Sequence, residues 1–186
     1  VALLDVGARC AVDVAAPRLA VGTVSMVNNA PTIDFTVASS PLAFGVSEMS
    51  LADIDGDRLP DLLATVAGGQ RPVVVFWNDS GTLGGTFTEL DTTEVVRSAV
   101  AVNADQDPDL EIVLLGDNGT AVVDIDRSAG FTNPRFLADS LGTKIVSADV
   151  NRDGVPDLVV ANGRTAKLLL GVAGSVGGGA MTVVGQ

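Results

Sequence analysis

The chain has no histidine, one cysteine and few basic residues, and each shortage removes a class of function. Without histidine the commonest general base and the commonest transition-metal ligand are missing, and a Ser-His-Asp triad in its usual form is excluded. The single Cys10 excludes an internal disulfide and any CxxC site, and it reads first as a small buried apolar residue. Lys and Arg number 11 against 23 Asp and Glu, giving a net charge of -12. A surface this acidic repels phosphate backbones and anionic lipid, so nucleic-acid binding is not expected. No run of 18 apolar residues occurs, so direct insertion in a membrane as a helix is not expected either. The sequence opens on Val1 without a recognisable signal peptide and reads as a mature, processed or excised piece.

What the chain does have is apolar residues, 47% of its 186, with a mean hydropathy of +0.40. That is enough to bury a core and is unlike a disordered chain. The apolar residues come in runs of about five: VVVFW (73–77), EIVLL (111–115), AVVDI (121–125), KIVSA (144–148), DLVVA (157–161) and AKLLL (166–170). Gly, Asn, Asp or Pro bounds each run, which is the pattern of strands and turns. No segment sustains helical periodicity between caps. The expected fold class is all-β.

Three segments superimpose: ADIDGDRLPDLLAT from Ala52, VNADQDPDLEIVLL from Val102 and ADVNRDGVPDLVVA from Ala148. Taking Asp53, Asn103 and Asp149 as position 1, the repeats are spaced by 50 and 46 residues. A fainter first copy keeps strand-like VALLDVG and APRLAVG (16–22) but carries Arg18 where the others have Asp or Glu. With about four strands per repeat, the chain divides at about 1–46, 47–96, 97–143 and 144–186, within one domain over 1–186. Repeats of this length with four antiparallel strands each are what propeller blades look like.

The acidic loops carry the chemistry. Oxygen-bearing side chains recur at positions 1, 3, 5 and 9, with a backbone carbonyl available at 7. In the first loop these are Asp53, Asp55, Asp57 and Asp61, with Leu59; in the second Asn103, Asp105, Asp107 and Glu111, with Asp109; in the third Asp149, Asn151, Asp153 and Asp157, with Val155. An all-oxygen set of this size suits Ca²⁺, which takes 6–8 oxygens, better than Mg²⁺, which keeps its waters. Asp and Asn also favour turns for their own sake. Three copies in register favour a cation, because like charges this close repel unless one is present. Up to three structural Ca²⁺ are therefore expected. Position 6 of such loops calls for Gly, where the chain turns sharply. Only the third loop has it, Gly154; the first has Arg58 and the second Pro108. This ranks the third and first loops ahead of the second.

The segments ADIDGDRLPDLL, ADVNRDGVPDLVVAN and VVVFWNDSGTLGGTFTEL resemble the FG-GAP/VCBS repeats of integrin-α-like β-propellers over roughly residues 47–175. The resemblance implies a propeller of about seven blades, so four repeats imply a small ring, part of a larger one, or a ring completed by another chain. It further implies an extracellular, cell-surface or periplasmic module that binds a protein or glycan ligand for adhesion. Two other roles stay open: the propeller domain of a carbohydrate-active enzyme of the polysaccharide-lyase kind, and an architectural subunit of a surface assembly. No nucleophile–base pair is visible, and the carboxylates that might serve a glycosidase already have metal spacing. Two sequons, Asn78-Asp79-Ser80 and Asn118-Gly119-Thr120, fall on expected hairpin turns, where Asn is common in any case. Phe76 and Trp77 end an apolar strand, and at least one of them is expected in the core rather than on a sugar-stacking platform. The Gly-rich tail from Gly171 is expected to hold a flexible loop and a last strand, MTVV.

Overall fold

A computed structural model describes residues 2–5, 18–27, 30–41, 46–66, 72–79, 82–90, 92, 94–105, 107, 109–138, 142–171 and 181–184. Cys10, Gln106, Pro108 and the tail segment 172–180 lie outside the described residues. The described part is all-β, without a helix, and so contains no helix long and apolar enough to cross a membrane.

Among the described residues fifteen strands form four antiparallel sheets, each a simple meander in chain order. The first sheet holds β1 (Ala2–Asp5), β2 (Arg18–Val27) and β3 (Ala30–Pro41). The second holds β4 (Val46–Ala52), β5 (Asp61–Val66), β6 (Val73–Asp79) and β7 (Thr82–Leu90). The third holds β8 (Val96–Val102), β9 (Glu111–Gly116), β10 (Gly119–Asp126) and β11 (Gly130–Ala138). The fourth holds β12 (Lys144–Ala148), β13 (Asp157–Asn162), β14 (Thr165–Leu169) and β15 (Met181–Val184). Three sheets thus have the expected four strands, and the first has three among its described residues. The described strands do not close into a barrel or a ring.

The central strands are continuous apolar runs because they are covered on both faces. Side chains alternate across a strand. In β9, Ile112 and Leu114 therefore pack with Leu63, Val75 and Trp77 of the second sheet, while Val113 and Leu115 pack with Ile145, Leu158, Val160 and Leu169 of the fourth. The remaining face of the second sheet collects Leu62, Ala64, Val66, Val74 and Phe76. Trp77 is 2% exposed, and its indole N–H donates to Thr88 Oγ1 at 2.9 Å, so it belongs to the core as expected.

The second, third and fourth sheets follow one another in space as in sequence, first strand beside first strand: β8 lies against β4, β5 and β12, and β7 against β11. Three residues make this explicit. Glu48, Ser98 and Lys144 each stand five residues before position 1 of their loop. Ser98 Oγ donates to Glu48 Oε2 at 2.7 Å and accepts from Ile145 N at 3.2 Å, and Lys144 Nζ pairs with Glu48 Oε1. Equivalent positions of three successive repeats meet at one place.

Candidate metal centres

Each acidic loop joins the first strand of its sheet to the second, and each ends on a carboxylate that starts the second strand. Asp61, Glu111 and Asp157 are 0%, 4% and 0% exposed. In all three, this carboxylate accepts the backbone N–H of position 2: Ile54 N at 3.0 Å, Ala104 N at 2.5 Å and Val150 N at 2.8 Å. In two of them the second oxygen is also held. Asp61 Oδ1 accepts Asn78 N at 2.8 Å and Asp157 Oδ1 accepts Gly171 N at 2.8 Å. Position 9 is thus first a clamp, tying the loop to a neighbouring strand end. Carboxylate oxygens have further lone pairs, so the clamp leaves room for a cation.

Above the clamp the loops wind on their own side chains. In the first, Asp53 Oδ2 accepts Arg58 N at 2.9 Å, Asp55 Oδ1 accepts Asp57 N at 3.3 Å and Asp57 Oδ1 accepts Leu59 N at 2.7 Å. The second repeats the pattern, with Asp105 Oδ1 on Asp107 N at 3.2 Å and Asp107 Oδ1 on Asp109 N at 3.0 Å; Asn103 Nδ2 donates to the Asp107 carbonyl.

The structure gathers Asp53, Asp55 and Asp61 into one group and Asp105, Asp107 and Glu111 into another, one oxygen of each within 4.8 Å of the others. Either group can hold a metal ion. The fit is strongest in the first loop, where Asp53 Oδ1 is buried without a hydrogen-bond partner, an expensive position for a carboxylate oxygen that only a cation or donor would relieve. The Asp57 carboxylate stands outside the first group and the Asp109 carboxylate outside the second.

The third loop differs. Asp149 spends both oxygens on its own loop, at Asp153 N (3.1 Å) and Gly154 N (3.0 Å), and Asn151 Nδ2 donates to Asp153 Oδ2 at 2.8 Å. The neutral amide at position 3 thus donates to the position-5 carboxylate, where the first and second loops carry a further carboxylate, Asp55 and Asp105. No three-carboxylate group forms here among the described residues, so the grouping of acids does not follow the ranking by Gly at position 6.

Position 6 is not the one sharp turn of these loops. Left-handed residues occur at two positions of each described loop, 4 and 6: Gly56 (φ 74°) and Arg58 (φ 72°) in the first, Arg152 (φ 63°) and Gly154 (φ 85°) in the third. Each loop thus has one glycine and one strained arginine, in exchanged order. Arg58→Gly is expected to raise stability by about 1 kcal/mol by removing Cβ strain, and Gly154→Ala to lower it by about as much. A Cβ on Gly154 would meet nothing within 4 Å, so the second change isolates the backbone term. Urea unfolding with unchanged m-value measures both.

One cation already stands at the first loop. Arg127, in the turn between β10 and β11 of the next sheet, places Nε 2.7 Å from Asp55 Oδ2, Nη1 2.5 Å from Asp79 Oδ1 and Nη2 3.9 Å from Asp57 Oδ2. Its guanidinium lies over the Trp77 ring at 4.8 Å. The Thr86 hydroxyl and Arg127 together hold the Asp79 carboxyl below its usual range. The sequence reading did not include Arg127: it lies 72 residues from Asp55, and only the packing of adjacent sheets brings them together. The first two loops also touch directly, Leu110 N donating to Ile54 O at 2.8 Å. The Asp109 carboxyl is pushed up by burial and by the charges of Asp107, Asp55, Asp126 and Asp53. Its side chain thus answers to both loops.

Burial pushes the Asp61 carboxyl up, against the pull of the Asn78 and Ile54 N–H groups and with added repulsion from Asp55. Burial likewise raises Glu111, helped by Asp105 and Asp107. A carboxyl whose folded pKa exceeds its unfolded value, 3.8 for Asp61 and 4.5 for Glu111, adds stability that is full below the unfolded value. That contribution is lost as pH rises through the folded one. Metal-free protein is therefore expected to lose this contribution progressively as pH rises above about 4. Glu111→Gln flattens the slope in metal-free thermal melts, and a slope unchanged by the substitution contradicts the assignment.

The candidate glycosylation residue Asn78 is 5% exposed, and its Nδ2 donates to Pro60 O at 3.0 Å, so its amide is a loop tether rather than a free side chain. Asn118 is exposed on the β9–β10 turn, where its Nδ2 donates to Glu94 Oε1 at 3.1 Å. Comparison of the chain with protein-family models, curated proteins and solved structures gives no match.

Proposed function

We propose that this chain is a non-catalytic extracellular module of the FG-GAP/VCBS β-propeller kind, whose acidic loops take structural Ca²⁺ and which serves adhesion by binding a protein or glycan. The observation that carries the reading is a three-carboxylate group built in the corresponding loops of two consecutive sheets, from positions 1, 3 and 9 of the first loop and 3, 5 and 9 of the second, both closing on the buried carboxylate of position 9. A chance acidic turn has no reason to recur in register. The meander sheets, laid first strand to first strand, agree with blades. The hard, all-oxygen donor set with no nitrogen or sulfur favours Ca²⁺ over transition metals. The ion's task is to hold a loop whose carboxylates otherwise repel. Sites of this kind on extracellular modules bind with Kd of about 10⁻⁴–10⁻³ M, which suits millimolar Ca²⁺ outside the cytosol.

Calcium titration calorimetry on the 186-residue chain tests this. Two sites are expected. Asp53→Asn with Asp55→Asn removes one, Asp105→Asn with Asp107→Asn removes the other, and Asp149→Asn with Asp153→Asn removes neither. Absence of saturable binding at millimolar Ca²⁺ overturns the reading.

A further inference from the structure

The two carboxylate groups differ in the cations the chain itself supplies. Arg127 Nε stands 2.7 Å from Asp55 Oδ2, and Asp55 belongs to the first group with Asp53 and Asp61. Among the described residues no lysine or arginine pairs with Asp105, Asp107 or Glu111 of the second. The sequence gives the reason. Arg127 lies in the β10–β11 turn of the third sheet and reaches the first loop, which belongs to the second sheet. The corresponding turn of the fourth sheet lies between β14 and β15, and no Lys or Arg occurs after Lys167.

The turn that carries Arg127 is held by its own side chains. Asp126 Oδ1 accepts Ser128 N at 2.7 Å, Ala129 N at 2.7 Å and the Ser128 hydroxyl at 2.5 Å. Of the three carboxylates near the guanidinium, Asp57 and Asp79 lie outside the first group and only Asp55 lies within it. Asp79 is oriented independently, since its Oδ2 accepts the Thr86 hydroxyl at 2.6 Å. The guanidinium does not complete the first group, because Asp53 Oδ1 stays buried without a partner. Arg127 therefore neutralises one member of a group that still wants a cation.

We propose that Arg127 is the resident cation of the first loop and competes with Ca²⁺ for Asp55, so that filling this site releases a contact between the second and third sheets. The inference rests on the reading of the loops as calcium sites. A guanidinium and a dication on one carboxylate repel. At about 5 Å in water that repulsion is worth about a factor of ten in affinity. Calcium in the first loop thus leaves Arg127 on Asp79, while the second loop fills with no such exchange. Trp77 reports the change. It is the one tryptophan of a chain without tyrosine, it is buried, and its ring lies 4.8 Å from the guanidinium.

Calorimetric Ca²⁺ titration of the whole chain, with Trp77 emission followed in parallel, tests it. In the unsubstituted chain the emission changes as the first site fills, and Asp53→Asn with Asp55→Asn abolishes the change. Arg127→Gln tightens the first site about tenfold and leaves the second as it was, which also shows that the variant is folded. Arg127→Lys keeps the charge and with it the original affinity. Emission that stays constant while the first site fills overturns the proposal without recourse to any variant. So does a first site that Arg127→Gln leaves unmoved, or weakens, which would mean that the guanidinium orders the loop for the ion. Either result, with the second site still filling, leaves the calcium reading standing. A chain with no saturable site overturns both.

Discussion

Asp61→Ala is expected to lower the stability of the metal-free protein by roughly 2–5 kcal/mol, since two buried N–H donors lose their acceptor at about 1–3 kcal/mol each. The donors are Ile54 N in the loop and Asn78 N at the end of β6, both held by a carboxylate that is 0% exposed. Some of the loss is offset, because the repulsion between Asp61 and Asp55 goes too. Asp61→Asn keeps one oxygen acceptor and turns an amide N–H₂ toward the other donor, so its effect is smaller. Asp157→Ala repeats the experiment in the fourth sheet, orphaning Val150 N and Gly171 N. Asp57→Ala, at an exposed loop position, is the contrast and changes stability by no more than about 0.5 kcal/mol. Urea unfolding of the four variants gives the order. If Asp61→Ala and Asp57→Ala cost the same, the clamp is not what holds the loop.

Calcium is the second large effect. A ligand that binds only the folded state stabilises it by RT ln(1 + [L]/Kd). With Kd of about 10⁻⁴–10⁻³ M, roughly 5 mM Ca²⁺ adds about 1–2 kcal/mol per site, or about 2–5 kcal/mol for two. The gain arises where the apo protein is worst served. Asp53 Oδ1 is buried and unpartnered, and the carboxyls of Asp61 and Glu111 are pushed up by burial and by acidic neighbours. The same ion reverses the pH response, since it binds the ionised groups whose charge the metal-free protein resists. The first loop gains less than a bare carboxylate triad would, because Arg127 already neutralises part of Asp55.

Strands and loops were legible in the sequence for a physical reason. A strand buried on both faces is a near-continuous apolar run, so VVVFW and the IVLL that follows Glu111 announce β6 and β9 without help from tertiary structure. The loops were legible because carboxylates at alternate positions cost too much to recur by accident. The division of labour inside them was not. Asp61 reads as the last ligand of a row; its role as a buried clamp depends on Asn78, a residue 17 positions on whose backbone N–H it accepts. Asn78 in turn reads as a glycosylation candidate until its amide is seen holding Pro60. Position 6 calls for a left-handed residue, and Arg58 is one; position 4 is left-handed too but carries no common signal, because Gly56 and Arg152 share no residue type. Arg127 had no local signal at all. Its partners come from another sheet, and one-dimensional spacing carries no information on which turn lies over which loop.

The central claim is that carboxylates in the first two loops are held by Ca²⁺ and stabilise the sheets through it. Thermal unfolding in excess chelator and in millimolar Ca²⁺, on the same sample at neutral pH, tests it most directly. The account predicts a melting temperature higher in Ca²⁺ by at least about 4 °C for a chain of this size, with most of the increase abolished by Asp53→Asn together with Asp105→Asn. A melting temperature that is the same in chelator and in Ca²⁺ would contradict it.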